Sequence, residues 1–112
     1  MARGRSNFKM GTVEMIILFL LSKKDMYGYE LASQIKKLSE GNLVVAESTL
    51  YPTFYKLLEK EYISDREETV GKRRIRVYYH LEEKGEKRLS DLLEDYRTTV
   101  YGIDKILSPD SF

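Results

Sequence analysis

At 112 residues with no cysteine, the chain reads as one domain with neither a disulfide framework nor a thiolate metal site. The apolar run over residues 15–21 falls far short of the roughly 20 residues a membrane helix needs, and no apolar leader follows Arg3 and Arg5, so a cytoplasmic protein without a membrane partner is expected. The formal net charge of +1 hides an imbalance, because residues 1–81 hold 14 Lys and Arg against 10 Asp and Glu, whereas residues 82–112 hold 5 against 8.

Residues 1–10 carry Arg3, Arg5 and Lys9 without an acid and are expected to form a flexible basic arm. Thr12 suits an N-cap and Glu14 the positive end of a helix dipole, which predicts a first helix over residues 13–22. That helix is apolar nearly all round, so it belongs in the middle of the domain. A second helix sets Leu31, Ala32, Ile35 and Leu38 on one face with Lys36 and Lys37 outside. Gly41 is placed to end it in the left-handed conformation that follows a last helical turn. Leu43, Val44 and Val45 form a β-branched run expected to be a short strand.

The third helix, over residues 47–61, has two faces. Leu50, Phe54, Leu57 and Leu58 fall at i, i+4, i+7 and i+8, one buried stripe. Ser48, Pro52, Tyr55 and Lys56 point the other way, and Tyr51 lies at the border. Pro52 sits in the first turns, where a missing N–H does least harm. A strand over residues 63–70, a turn at Gly71, Lys72 and Arg73, and a strand over residues 74–81 then make a hairpin. In its second strand Ile75, Val77, Tyr79 and Leu81 alternate with Arg74, Arg76, Tyr78 and His80, giving one apolar and one basic face.

The last helix, over residues 82–107, changes rhythm. Leu89, Leu93, Tyr96, Val100, Ile103 and Leu107 are spaced 4-3-4-3-4, the alternation of a coiled-coil seam. At 1.5 Å per residue it reaches about 39 Å, longer than a small core covers. A second copy of the same helix is the expected partner, since two-fold dimers are the commonest assembly. Residues 108–112 remain as a tail.

Chemistry is scarce. His80 is the only histidine, no cysteine accompanies it, and Glu67-Glu68 and Glu82-Glu83 are adjacent pairs that point to different sides. No enzyme, metal site or cofactor is expected from that inventory. The basic residues say more: Lys72, Arg73, Arg74 and Arg76 crowd five positions, and such a cluster supplies the counterion release that drives nucleic-acid binding. A polar helix face able to reach base edges, next to a cationic hairpin able to touch phosphates, points to a DNA reader. The competing class is a winged-helix module that binds protein.

Helix, helix, short strand, helix and hairpin is the order of a winged helix-turn-helix. The fold class is therefore mainly α with a small β-hairpin, with that domain at residues 11–81 and a long dimerisation helix at residues 82–107. Met26-Tyr27-Gly28-Tyr29-Glu30-Leu31, Ser48-Thr49-Leu50-Tyr51-Pro52, and Gly71-Lys72-Arg73-Arg74 with Tyr78-Tyr79-His80-Leu81 resemble the PadR family of bacterial transcriptional regulators. The resemblance covers residues 10–90 and is to the short members with a single C-terminal helix. It implies a homodimer on a two-fold symmetric operator in double-stranded DNA, with the third helix in the major groove and the wing along the flanking backbone. It further implies a repressor and, in some members, a small-molecule effector that releases it.

Carried over by position, Ser48, Thr49, Tyr51 and Tyr55 match the family's recognition helix, and Lys72, Arg73 and Arg74 its wing tip. Tyr27 and Tyr29 match an aromatic pair that opens the second helix, where phosphate contacts are usual. Pro52, Lys56 and Arg76 complete the DNA-binding set from this chain's own pattern. Two departures stand out. The run between Gly71 and Tyr79 is stretched, which implies a longer wing, and Glu82 replaces the hydroxyl residue that usually caps the last helix. The chain also lacks the tryptophan that short drug-binding members place on the dimer helix.

Overall fold

The computed structural model describes the backbone of residues 2–111 and the side chains of residues 12–110. Its elements run α1 (Ala2–Leu21), β1 (Met26–Tyr27), α2 (Gly28–Leu38), α3 (Glu47–Glu59), β2 (Ile63–Val70), β3 (Arg74–Leu81) and α4 (Glu83–Leu107), with a 3-10 turn at Pro109–Ser111. The sheet is antiparallel in the order β1-β3-β2. The hairpin keeps one register along its length, from Ile63 opposite Leu81 to Val70 opposite Arg74, while Met26 and Tyr27 pair with Tyr79 and Tyr78 on the other side of β3.

The core is where the apolar stripes converge. Ile17 and Leu18 of α1, Leu31 of α2, and Leu50, Phe54 and Leu57 of α3 are fully buried. Ile63, Tyr79 and Leu81 close it from the sheet. Phe54 and Tyr79 stack with centroids 4.2 Å apart and planes at 26°, an offset arrangement that adds to the area both rings bury. α4 enters this cluster at its first turns only: Leu89 is buried, and Leu92 and Leu93 pack partly against it.

Four expectations are corrected. Helix α1 is continuous from Ala2, so from that residue the expected basic arm is its first turns, and Thr12 lies inside the helix, not at its N-cap. The run Ala2–Met10 has no proline, and Gly4 and Gly11 each cost only about 1 kcal/mol relative to alanine; the side chains of Arg3, Arg5 and Lys9 lie outside the described residues. Residues 43–45 are not a strand. The edge of β3 they would have needed is taken by Met26–Tyr27, and Ser39 instead ties this segment down, its Oγ accepting from the Leu43 N–H at 2.9 Å.

The end of α2 is the third correction. Ser39 is the C-cap and Glu40, at φ +54, occupies the left-handed position assigned to Gly41, which follows with φ +80. The Gly41 N–H donates to the Lys36 carbonyl at 2.8 Å and the Glu40 N–H to Lys37 at 3.1 Å, the paired bonds of a Schellman turn. Fourth, Ile75 is 62% exposed and Leu38 63% exposed. Period two sends Ile75 to the inward face, but the outer half of the hairpin extends beyond the core, so Ile75 stays exposed.

Burial pushes the Tyr79 hydroxyl up to about 12. A tyrosine held neutral in the fold contributes stability that is complete below its free value near 10 and is lost as pH rises through the folded value. Unfolding free energy should therefore fall by roughly 2–3 kcal/mol between pH 10 and about 12. Urea titrations of the wild type and Tyr79→Phe should differ in slope across that window, the variant lacking most of the decline.

Candidate nucleic-acid interface

The third helix turns out as an amphipathic element whose outer face is free. Ser48, Thr49, Pro52, Tyr55 and Lys56 are exposed, with Tyr55 at 66%. Their exposure follows from burial of Leu50, Phe54 and Leu57 at helical spacing, which leaves the opposite side no core to meet. Pro52 is accommodated inside α3, whose hydrogen-bonded turns resume after it.

Tyr51 is different. It is half-buried, its ring meets Phe54 edge-on at 5.5 Å, and its hydroxyl donates to the Glu47 carboxylate at 2.9 Å. Burial and this carboxylate together raise its pKa. With its proton committed inside its own helix, Tyr51 offers only oxygen lone pairs outward. Glu47 is the partner that the sequence pattern did not bring forward, although i, i+4 spacing is the signal that finds it. The pair also explains Gly28, since a Cβ there would lie 3.1 Å from the Glu47 carboxylate and 3.4 Å from the Tyr51 hydroxyl.

At the wing, cations divide into two sets. Arg66 in β2 donates to Asp25, from the turn before β1, and to Glu68 at 2.8 Å. His80 Nδ1 lies 2.7 Å from the other Asp25 oxygen. Burial alone would raise the Asp25 carboxyl, but the hydrogen bonds from His80 and Arg66 outweigh it and hold it below its ordinary value. Arg76 lies over the Tyr27 ring at 4.2 Å, and Tyr27 meets Tyr78 edge-on at 5.4 Å. These contacts fix the base of the hairpin to the start of α2. Nothing in the sequence singles out Asp25 and Arg66, since Asp25 reads there only as a break between helices.

Beyond that base, Lys72, Arg73 and Arg74 are exposed, and among the described residues no carboxylate lies within ion-pair distance of them. Gly71 turns the chain at φ +67, which a residue with a Cβ adopts only under strain. Tyr29 is 63% exposed and lies 6.5 Å from Tyr27, ring to ring. The candidate set thus comprises an open helix face, an open cationic tip, and Tyr27 and Arg76 packed on each other at the base of the hairpin.

A polar helix surface beside a hairpin with an unpaired cationic tip is the arrangement of a winged-helix regulator, and residues 17–91 match the model of the transcriptional regulator PadR-like family. The chain belongs to that family. A transcriptional regulator from Clostridium thermocellum shares 32% identity at a TM-score of 0.83, over 92% of this chain and 97% of that one. Bacillus subtilis PadR, solved in complex with operator DNA, is 28% identical at a TM-score of 0.68, over 73% of this chain and 46% of that one. The transcriptional regulator YqjI of Escherichia coli is 40% identical over 68 residues, which are 61% of this chain but 33% of that protein. These PadR-like relatives support a transcriptional regulator and give the protein-binding alternative nothing. Among the described residues no helix is long and apolar enough to cross a membrane.

The seam residues of α4 divide along its length. Leu89 is buried and Leu93 half-buried, whereas Tyr96 is 44%, Ile103 45% and Leu107 73% exposed. Val100 is half-buried. The helix has Glu82 as N-cap with no side-chain capping bond, as its replacement of a hydroxyl residue implied, and that carboxylate instead accepts from Ser64 Oγ.

The lowered Asp25 value has a measurable sign. Its contribution to stability is complete above the free value of 3.8 and is lost as pH falls through the lower folded value. Asp25→Asn should lower the urea midpoint at neutral pH, and the gap from wild type should close in strong acid. A gap that persists unchanged at low pH would mean that the carboxylate's charge is not what holds the wing base.

Proposed function

We propose that this PadR-like chain acts as a homodimer that binds a two-fold symmetric operator in double-stranded DNA and represses transcription from it. The α3 face of Ser48, Thr49, Pro52, Tyr55 and Lys56 reads base edges in the major groove. Lys72, Arg73 and Arg74 hold the flanking phosphates, and Tyr27, Tyr29 and Arg76 meet the backbone between them. Tyr51 contributes mainly by setting the helix, through Glu47 and Phe54.

The observation that carries this reading is the division of cations. Arg66 at the base of the wing and Arg88 in α4 are each held by a carboxylate, while the three cations of the wing tip face none among the described residues. Charges left unneutralised on a projecting turn gain most from a polyanion, because each phosphate they neutralise releases condensed counterions.

The exposed side chains of α4 support the dimeric part of this reading. The outer half of the helix carries Tyr96, Ile103, Ile106 and Leu107 in the open, and a groove of about 370 Å³ reaching the helix at Leu93 is lined by Met15, Phe19, Leu38 and Leu43. Apolar surface of this extent on one side of a small domain calls for cover, and a second α4 supplies it. Two recognition helices then lie about 34 Å apart, one turn of duplex. A small-molecule effector would act by favouring one angle of the α4 pair over another, which requires only unequal affinity for the two states. Such a regulator works in the cytoplasm.

Replacing Arg73 and Arg74 together by alanine should weaken binding to operator and random duplexes alike. It should also reduce the slope of log affinity against log salt by about 1 for each phosphate that is no longer neutralised. Mobility shifts at several salt concentrations read both quantities. An unchanged slope removes the wing tip from the interface.

A further inference from the structure

We infer that the corner at Tyr62 is the fulcrum that sets the angle between the DNA-reading domain and the dimer helix, and thereby the half-site spacing this protein selects. The inference rests on the homodimeric, DNA-binding reading above. It begins at the end of α3. Lys60 caps that helix, Glu61 follows at φ +63, and the N–H groups of Glu61 and Tyr62 donate to the carbonyls of Leu58 and Leu57, each at 3.0 Å. Two bonds of this kind leave Tyr62 no freedom relative to the last turn of the recognition helix.

The dimer helix starts on the same residue. The Glu82 N–H donates to the Tyr62 carbonyl at 3.0 Å. At Gly85 the backbones come so close that a Cβ would lie 2.1 Å from that carbonyl oxygen and 2.6 Å from Leu81 Cδ1. One turn further on, at i+3 and so on the same face, Arg88 lies over the Tyr62 ring at 5.9 Å and donates Nε to Glu14 of α1 at 2.9 Å. Lys84 reaches Glu61 at 3.5 Å. Tyr62 therefore meets α4 by a hydrogen bond, a close backbone approach and a guanidinium, while Glu14 anchors that guanidinium to the helix at the centre of the core.

Geometry makes this corner consequential. α4 has 25 residues, about 37 Å at 1.5 Å each. A turn of about 5° at its first turns displaces the far end by roughly 3 Å, close to the 3.4 Å rise of one base pair. Beyond Val100 the apolar side chains of α4 are exposed, so the seam lies at the long end of this lever and the recognition helix at the short end. Gly102 provides the contrast: it lies on the same helix, yet a Cβ there meets nothing within 4 Å.

The test selects bound duplexes from a random pool, using the full chain and its variants, with sedimentation and melting to establish that each is a folded dimer. Wild type and Gly102→Ala should select two-fold sites with one and the same spacing. Arg88→Glu should keep the half-site bases but shift or broaden the spacing by at least one base pair, lowering preference for the original by about tenfold, the size of a typical mismatch penalty. Adding Glu14→Arg to Arg88→Glu should restore the original spacing. Gly85→Ala should move the spacing further. If Arg88→Glu or Gly85→Ala fails to fold, Arg88→Gln, which keeps most of the bulk and loses the charge, reads the same shift. A folded dimeric Arg88 variant that selects the wild-type spacing with wild-type preference overturns the fulcrum, as does one that changes half-site bases alone. A wild type that selects no two-fold site overturns the dimeric reading beneath it.

Discussion

The stack of Phe54 on Tyr79 joins the two parts that must act together, because one ring belongs to α3 and the other to β3. Each ring dictates the face that its element shows to solvent. With Phe54 inward, helical periodicity turns Ser48, Pro52, Tyr55 and Lys56 outward. With Tyr79 inward, the two-residue period of a strand places Arg74, Arg76, Tyr78 and His80 on the opposite face of the hairpin. The positions of the outer α3 face and the wing relative to each other are thus settled inside the core, where close packing tolerates little displacement.

Charge then differentiates the parts of one small domain. Near the core, ionic groups serve as structure: Asp25 gathers Arg66 and His80, and Glu14 gathers Arg88. Partly buried carboxylates of this sort lose hydration that only a well-placed donor replaces, and both acids have one. Away from the core, on the wing tip, the cations have no acidic partner among the described residues. The same residue type is a brace in one place and an open charge in the other, and the difference lies in distance to a carboxylate.

Much of this was legible in the amino-acid pattern. The hairpin strands appear where the alternation of Ile75 to Leu81 and the Gly71 turn put them, and the buried stripe of α3 follows from Leu50, Phe54 and Leu57. Other features were hidden for physical reasons. Met26–Tyr27 is a two-residue strand, too short to show a period, and is defined only by its pairing with Tyr78 and Tyr79. Glu40 and Glu61 take left-handed conformations that residue preference assigns to glycine, because the Schellman bonds around them compensate the strain. The Asp25–Arg66–His80 cluster joins residues 41 and 55 positions apart, so no local window contains it. Tyr51 stood at the border of two faces by angle alone, and only the Glu47 contact shows where its proton goes.

The sheet order leaves one long side of β2 with unpaired backbone amides and carbonyls, an invitation to add a further strand from another molecule. That rim carries Asp65 and Glu67 on one face and the paired Arg66 and Glu68 on the other, so a second hairpin joining rim to rim would have to accommodate a row of charged side chains. Charge along an open edge of this kind disfavours strand addition from another molecule.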